Sequence, residues 1–510
     1  MESKPLKTDV CFNKNIFCET FEQPIDADFL LPDYCPDISK IFKCKAKPVI
    51  ISKGVNGKSI TIEGNVCITL LYCDKDNNLC SYEYIYPFSK IKEMGEAGDE
   101  CNIVCTAFCD YINCRAITGR KIDVHGAVSI KIKVFKRCSN KIVSDYDDNE
   151  IQLKRIIAPA TIPMGYREKM LILEEEIGAS NNQNPVLRIL RYDAVPNITE
   201  YKVLADKVVA KGEMAVNILY TADGVKVPLV FKTTVPFSQI VEMAGVTELC
   251  RCDIKAEIVF LEIRPAISYN GDNNGFTLNA KVLLKCESYC VNDIAVIEDA
   301  FSTKFETKIV KDTLSFKRIC ENLKETCQVK KKIELQENIT SVIDIWCEKG
   351  SKKIKFEKGN ICISAVLLVC MVVCDQNDNI LFYEKPIEFE HKHPIDCEDS
   401  ALSANIGIDI ANIGFTIVSA NCLEVRLELT LTGAVFEQSD IPLITDIEID
   451  TQKPHPKNQK GGMIICFANK GENLWNVARK YNANLSEIMK INGIEKENID
   501  NKKMILVPFN

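Results

Sequence analysis

Apolar and polar residues alternate in many short stretches of this chain, a pattern that predicts β-strands. Residues 59–72 read Ser-Ile-Thr-Ile-Glu-Gly-Asn-Val-Cys-Ile-Thr-Leu-Leu-Tyr; they alternate at their start and are rich in β-branched residues. The turn-forming tract Asp-Lys-Asp-Asn-Asn follows, and residues 82–88, Tyr-Glu-Tyr-Ile-Tyr-Pro-Phe, read as the return strand of a hairpin. We find no alternation of strand and helix patterns, so we expect antiparallel β structure.

This hairpin pattern recurs along the chain. Gly64 and Gly212 each lie eight residues before a tyrosine, in Gly-Asn-Val-Cys-Ile-Thr-Leu-Leu-Tyr and Gly-Glu-Met-Ala-Val-Asn-Ile-Leu-Tyr. A Pro-Phe-Ser tripeptide follows each of them, at 87–89 and at 236–238. A glycine inside a strand indicates a bulge or a close approach of another backbone, and we expect one of these at both positions.

A third copy is more diverged. Cys374–Asn379, Cys-Asp-Gln-Asn-Asp-Asn, echoes Cys73–Asn78, Cys-Asp-Lys-Asp-Asn-Asn. Ala365 stands in place of the glycine, and Glu-Phe-Glu at 388–390 stands in place of Pro-Phe-Ser. Apolar runs are predicted to close the three copies at Lys121–Phe135, Thr277–Glu287 and Asn421–Phe436. The predicted fold is therefore mainly β, with three tandem antiparallel β-sandwich or open-barrel repeats.

The last 48 residues have a different pattern, which predicts a small βααβ module. Met463–Phe467 and Met504–Val507 are short apolar runs that read as strands. Between them, Asn473 is the expected N-cap of a first helix, which carries Leu474, Ala478 and Tyr481 on one face. Asn484, with Glu487 three residues later, is expected to cap a second helix that ends at Gly493.

Proline and glycine indicate where these units are joined. Ile156–Gly165, with two prolines, suits a connector between the first two copies, and Thr451–Gly462 has two prolines and ends in Gly-Gly. The predicted division of the chain is a first β repeat at 1–143, a second at 144–300, a diverged third at 301–445, a flexible linker at 446–462 and the small module at 463–510.

Composition excludes some classes of partner. The net charge is −8, which argues against nucleic acid as a partner because contact with phosphates needs a dense positive surface. The module carries seven Lys and Arg against five Asp and Glu, a net +2, which leaves −10 on the remainder. A basic module could favour an acidic partner, but ordinary surface variation explains the same numbers.

The longest apolar run, Ile361–Cys374, is too short to span a membrane.

Cysteine is abundant, with 25 residues. The polar start of the chain has no apolar core of a secretory signal, so we expect reduced thiols that serve as small apolar core residues. The alternative that these cysteines crosslink late, in an oxidising compartment, stays open.

His391 and His393 lie on one predicted strand face, but no third metal ligand is close in the sequence. We therefore expect a solvated edge, no metal site and no cofactor.

The module resembles the LysM domain at Gly471, Leu474-Trp475, Ala478, Tyr481, Ile488, Ile491-Asn492 and the closing Ile505-x-Val507-Pro508. The resemblance implies a groove formed by 469–474 and 492–499, which in most LysM domains binds N-acetylglucosamine polymers. The residues that the resemblance assigns to partner or glycan binding are Asn469, Lys470, Gly471, Glu472, Asn473, Leu474, Trp475, Asn492, Gly493 and Ile494. Glu472-Asn473 departs from the usual Asp-Thr or Asp-Ser, and a single copy gives weak glycan binding.

Trp475 has two interpretations. It is adjacent to Leu474 and therefore about 100° around the helix, so it does not fully share the core face. It either packs over the rim of a small core or is a partly exposed aromatic anchor for a protein or a sugar.

The body resembles the SPOCS domain, through the strand that ends in Leu-Leu-Tyr or Ile-Leu-Tyr and through the Pro-Phe-Ser return. SPOCS repeats followed by one LysM domain resemble the SipL-like spore-coat morphogenetic proteins. The resemblance implies a scaffold in the mother-cell cytoplasm, at the forespore surface, that binds a coat morphogenetic ATPase of the SpoIVA type through its LysM domain. The alternative is a protein that docks on peptidoglycan.

The chain lacks the common sequence motifs of catalytic sites. The chain has no phosphate-binding P-loop, no Gly-x-Gly-x-x-Gly after a strand, no Gly-x-Ser-x-Gly and no His-Glu-x-x-His. We therefore expect that the protein is not an enzyme. An unrecognised site would need a deep pocket lined by titratable groups with shifted pKa values.

Overall fold

Antiparallel strands make up most of the computed structural model, which describes residues 4–508 except 97, 99, 149, 179–183, 267–274, 397–400, 457–461 and 500. They form three groups of six strands, which we call repeats 1, 2 and 3. Repeat 1 contains β1 (Pro5–Leu30), β2 (Lys40–Asn56), β3 (Ser59–Cys73), β4 (Leu79–Glu93), β5 (Asn102–Ala116) and β6 (Lys121–Tyr146).

The other two repeats and the C-terminal module follow in chain order. Repeat 2 contains β7 (Ile151–Gly178), β8 (Val186–Leu204), β9 (Lys207–Ala222), β10 (Leu229–Glu242), β11 (Arg251–Pro265) and β12 (Gly275–Ser302). Repeat 3 contains β13 (Phe305–Glu334), β14 (Ile339–Glu357), β15 (Asn360–Asp375), β16 (Ile380–Pro394), β17 (Leu402–Ser419) and β18 (Cys422–Pro454). The module contains β19 (Met463–Ala468), α1 (Leu474–Tyr481), α2 (Leu485–Asn492) and β20 (Lys503–Pro508).

Each repeat is a sandwich of two three-stranded antiparallel sheets. In repeat 1 the strand orders are β1-β6-β5 and β2-β3-β4, and repeats 2 and 3 have the same topology as β7-β12-β11 with β8-β9-β10 and as β13-β18-β17 with β14-β15-β16. The inward side chains of both sheets form one apolar core in each repeat, as Ile62 and Ile130 do in repeat 1. The predicted fold class is confirmed.

The strand glycines mark close approaches to the phenylalanine of the Pro-Phe-Ser tripeptide. Gly64 pairs with Phe88 and Gly212 pairs with Phe237 in the sheet register. A Cβ atom on Gly64 would lie 2.4 Å from Cζ of Phe88, and one on Gly212 would lie 2.5 Å from Cζ of Phe237. The close approach expected from the sequence is therefore confirmed, and it is made by a side chain as well as by backbone.

The turn shared by repeats 1 and 3 is the same structure in both. Oδ1 of Asp74 accepts hydrogen bonds from the backbone N–H groups of Asp76 and Asn78 at 2.9 and 2.8 Å. Oδ1 of Asp375 accepts the corresponding bonds from Asn377 and Asn379 at 2.7 and 2.8 Å. The echo between the two sequences thus reflects a common Asx-type turn.

The long strands continue past the sandwiches and join the three repeats. The closing strands were predicted to end near Phe135, Glu287 and Phe436, but they extend to Tyr146, Ser302 and Pro454. Their extensions pack together in an apolar cluster that includes residues from every repeat: Val10, Ile142, Ala158, Ala160, Val296, Leu314, Phe316 and Leu443.

The prediction of a connector at Ile156–Gly165 is wrong, because these residues belong to β7 and pair with β12. The small side chains of Ala158 and Ala160 allow this strand to pack in the shared cluster, where both are buried. Prolines are tolerated there because β7 has a strand partner on one side only.

A second contact joins repeats 2 and 3 near Trp346. The guanidinium of Arg191 lies 4.2 Å from the centroid of the Trp346 ring and 2.7 Å from Oδ2 of Asp344. The Asp344 side chain is 1% exposed, so this ion pair is buried between the repeats.

The predicted linker at 446–462 has a strand in its first part. Ile447 and Ile449 of β18 pair with Ile309 and Thr307 of β13, and β18 ends at Pro454. Residues 457–461 lie outside the described residues. We retain the five-part division of the chain as a proposal.

Candidate functional site

The helix caps of the C-terminal module follow from three asparagines and one glycine. Oδ1 of Asn473 accepts a hydrogen bond from the backbone N–H of Trp475 at 2.8 Å, and Oδ1 of Asn484 accepts one from Ser486 at 2.9 Å. Asn482 and Gly493 end the two helices in the left-handed conformation, at φ 52° and 59°. The caps predicted at Asn473, Asn484 and Gly493 are confirmed.

The two loops assigned to a groove are joined by hydrogen bonds. The backbone N–H of Gly471 donates to the carbonyl of Ile499, and the N–H of Leu474 donates to Glu497, both at 2.8 Å. The Asn473 side chain donates to Oδ1 of Asn498 at 3.0 Å. The structure therefore brings 469–474 beside 497–499 at one end of the module.

Glu472 and Asn492 use their polar side chains within the module. Oε2 of Glu472 accepts a hydrogen bond from the backbone N–H of Asn469 at 3.0 Å, inside the first loop. The amide of Asn492 donates to the carbonyls of Ile488 and Leu506 and accepts from the N–H of Leu506, at 2.8, 2.7 and 2.8 Å. This amide fastens α2 to β20.

The remaining assigned residues differ in exposure. Lys470, Gly471 and Gly493 are exposed, Ile494 is half-buried, and Leu474 is fully buried in the core of the module. Only the exposed members of this set present side chains or backbone to a large ligand without a rearrangement.

Trp475 is buried against the body of the protein, with 2% of its surface exposed. Its ring meets the Phe301 ring edge to face, with 5.1 Å between the centroids. Its indole N–H donates to Oδ2 of Asp299 at 2.9 Å, and Nη1 of Arg479 contacts the same oxygen. Of the two interpretations, the structure matches the one in which Trp475 packs over the rim of a small core. A contact between Trp475 and a partner remains a proposal.

The position of Asp299 depends on a bulge. The register between β12 and β7 shifts between Ile297 and Asp299, which re-aims the following side chains. The backbone N–H of Leu485, on α2, also donates to Oε1 of Gln152 on β7 at 3.2 Å. The module therefore lies on the end of repeat 2, held by polar and aromatic contacts from both of its helices.

An exposed apolar surface on the module was not identified from the sequence. Met463, Ile465, Phe467 and Met504 lie on the outer face of the β19–β20 sheet, with 49–68% of each side chain exposed. We call these four residues the apolar strip. The continuous apolar run from Met463 to Ala468 concealed it, because such a run gives no sign that one of its faces is open to solvent.

A cavity of about 1020 Å³ lies where the three repeats meet. Burial raises the pKa of Glu287 in its wall, and burial lowers the pKa of Lys352. Shifts of this kind occur in catalytic sites and also in structural ion networks, so the cavity alone does not assign a function.

Comparison with protein families identifies both kinds of unit. Residues 37–117 and 185–265 match the SipL, SPOCS domain, and residues 469–508 match the LysM domain. The chain carries SPOCS and LysM domains. The two SPOCS matches cover β2–β5 of repeat 1 and β8–β11 of repeat 2, and repeat 3 shares their topology. No curated protein and no solved structure matches the chain.

This combination of domains is the SipL-like architecture expected from the resemblance. It indicates a sporulation-related adaptor of the cell-wall-binding type, and both domains are non-catalytic binding domains. Among the described residues, no helix is long and apolar enough to cross a membrane.

Proposed function

We propose that the protein is a non-enzymatic scaffold of spore-coat assembly. In this proposal it lies in the mother-cell cytoplasm at the forespore surface and promotes encasement of the forespore by the coat. Its LysM domain binds a coat morphogenetic ATPase of the SpoIVA type. The SPOCS and LysM matches support the sporulation role, and the apolar cluster that joins the three repeats supports a role as a scaffold.

The apolar strip is the observation that favours a protein partner. Its four exposed side chains project from one face of a two-stranded sheet. A group of exposed apolar side chains of this kind is typical of a protein–protein interface, whereas sugar recognition needs polar groups in a groove. Partner binding would bury Phe467, the most exposed of the four at 68%.

The alternative is binding to peptidoglycan through the loops 469–474 and 492–499. It is favoured by the LysM match and by the proximity of part of these two loops. Against it, Glu472 folds back on Asn469 in the loop where a sugar would bind.

The test compares the full-length protein with its Phe467→Ser variant for binding to the purified ATPase and to purified peptidoglycan. We expect Phe467→Ser to weaken ATPase binding about tenfold to a hundredfold, because it removes an exposed aromatic anchor. Phe415→Ser is the matched control, since Phe415 is also exposed but lies on β17 of repeat 3.

Three other results would argue against this proposal. Unchanged ATPase binding by Phe467→Ser would remove the strip from the interface. Equal losses in Phe467→Ser and Phe415→Ser would indicate a general loss of solubility or stability. Binding to peptidoglycan without binding to the ATPase would favour the alternative.

A further inference from the structure

Four side chains with metal-binding chemistry converge in repeat 3, where the two sheets of the sandwich meet. Glu325 and Cys327 project from β13, and His391 and His393 project from β16. Nε2 of His391 lies 2.6 Å from Oε2 of Glu325, Nδ1 of His393 lies 2.8 Å from Oε1 of Glu325, and Sγ of Cys327 lies 3.5 Å from Nδ1 of His391.

Three of these residues are close enough to share one ion. One ligand atom from each of Glu325, Cys327 and His391 lies within 4.8 Å of the others. His391 Nε2 is buried and, despite its short distance to Glu325, makes no hydrogen bond of acceptable geometry with a described residue. Thiolate, imidazole and carboxylate groups are all zinc ligands, and three protein ligands leave one position open in a tetrahedral site.

Repeats 1 and 2 do not carry this set at the corresponding positions. The strand register places Phe21 and Lys92 of repeat 1 where repeat 3 has Glu325 and His393, and there the Lys92 ammonium lies 5.2 Å from the centroid of the Phe21 ring. Repeat 2 has Lys169 and Val241 at these places. The cluster therefore distinguishes the diverged repeat from the other two.

We propose that repeat 3 binds a divalent cation of the zinc class through Cys327, His391 and Glu325. His393 contacts the carboxylate from the side and is a positioning residue, as hydrogen-bonded neighbours of metal-binding carboxylates commonly are. Because β13 and β16 belong to different sheets, the ion would fasten the two halves of the sandwich. The sequence concealed the site because Glu325 and Cys327 lie more than 60 residues before the histidines.

Metal binding also has a proton balance. The Cys327 thiol gives up its proton to solvent when the metal–sulfur bond forms, so one proton is released for each thiolate ligand.

The experiment uses the full-length protein, stripped with a chelator under reducing conditions and then loaded with Zn²⁺ or Co²⁺. Metal content is measured after desalting, and the cobalt form is examined for a thiolate-to-cobalt charge-transfer band. We expect Cys327→Ser and His391→Gln each to lose about one metal equivalent per chain and the band to disappear. Zn²⁺ should raise the melting temperature of the wild type more than that of either variant.

Two matched controls separate this site from the other thiols and histidines. Cys422→Ser removes a half-buried cysteine from β18, and His125→Gln removes an exposed histidine that contacts Asp26 and Asp123 in repeat 1. Both should keep the metal content of the wild type.

The conservative variant Glu325→Gln keeps the proposal testable if Cys327→Ser or His391→Gln fails to fold. It keeps the size of the side chain but removes its charge, and it should weaken Zn²⁺ binding at least tenfold while the circular dichroism spectrum is unchanged. The proposal is overturned if the wild type retains no metal, or if folded variants and controls all hold the same amount.

Discussion

The glycine–phenylalanine pairs show how single residues fit the strands of repeats 1 and 2 together. Gly64 leaves space for the Phe88 ring, and a Cβ atom there would also lie 2.5 Å from the carbonyl oxygen of Val49. Repeat 3 has Ala365 paired with Phe389, and there the Phe389 ring lies parallel to the ring of His391. The Ala365–Phe389 pair of repeat 3 thus contacts a proposed metal ligand through the Phe389 ring.

We predict that Gly64→Ala destabilises repeat 1 by about 1–3 kcal/mol, because the added methyl group overpacks against Phe88 and the β2 backbone. The measurement is the midpoint of urea unfolding. Gly414→Ala is the control, since a Cβ atom on Gly414 meets no atom within 4 Å. Equal midpoints for the wild type and Gly64→Ala would show that the strands relax without cost.

At the scale of elements, one amide holds a helix to a strand in the LysM domain. Asn492 makes three hydrogen bonds, two of them to the backbone of Leu506 on β20 and one to Ile488 on its own helix. The position assigned to the ligand groove therefore has a structural role as well. The two roles can be separated by measuring stability and binding on the same variant.

Asn492→Ala should destabilise the LysM domain by about 1–3 kcal/mol, because the backbone N–H and carbonyl of Leu506 lose their partner. Hydrogen–deuterium exchange of α2 and β20 measures the loss. Asn476→Ala, at an exposed site on α1, should leave exchange in β20 unchanged. If both variants exchange alike, the amide does not secure this contact.

At the scale of the whole molecule, the contacts of Asp299 hold the LysM domain against repeat 2. It is 7% exposed and receives the Trp475 indole and the Arg479 guanidinium, while Nζ of Lys311 lies 3.9 Å from its other oxygen. The contact covers Trp475 and leaves the apolar strip exposed. A partner that needs Trp475 would therefore have to displace the domain from repeat 2.

Asp299→Asn should loosen the LysM domain by about 1–3 kcal/mol, because charge-assisted hydrogen bonds to Trp475 and Arg479 are weakened. Acrylamide quenching reports this in a Trp346→Phe background, where Trp475 is the remaining tryptophan. Quenching should increase in Asp299→Asn and stay constant in Glu298→Gln, which changes an adjacent carboxylate paired with Lys154. Constant quenching in both would mean that aromatic packing on Phe301 alone holds the domain.

The sequence by itself determined the features that depend on neighbours along the chain. Alternation predicted the strands, and the Asn caps and Gly493 predicted the helices of the LysM domain. The Gly–Phe spacing predicted two repeats, and the recurring turn sequence predicted a diverged third. These follow from local backbone preferences and side-chain periodicity, which act over a few residues. The SPOCS and LysM resemblances were visible for the same reason.

Only the tertiary structure decided the features that depend on distant residues. Ile156–Gly165 read as a connector, but it is a strand because it packs against extensions from the other two repeats. Trp475 could not be assigned to core or surface until Asp299 and Phe301 were placed beside it. Glu325 and Cys327 became neighbours of His391 through the packing of two sheets. Burial and ligand geometry are set by such long-range contacts, which local sequence patterns do not encode.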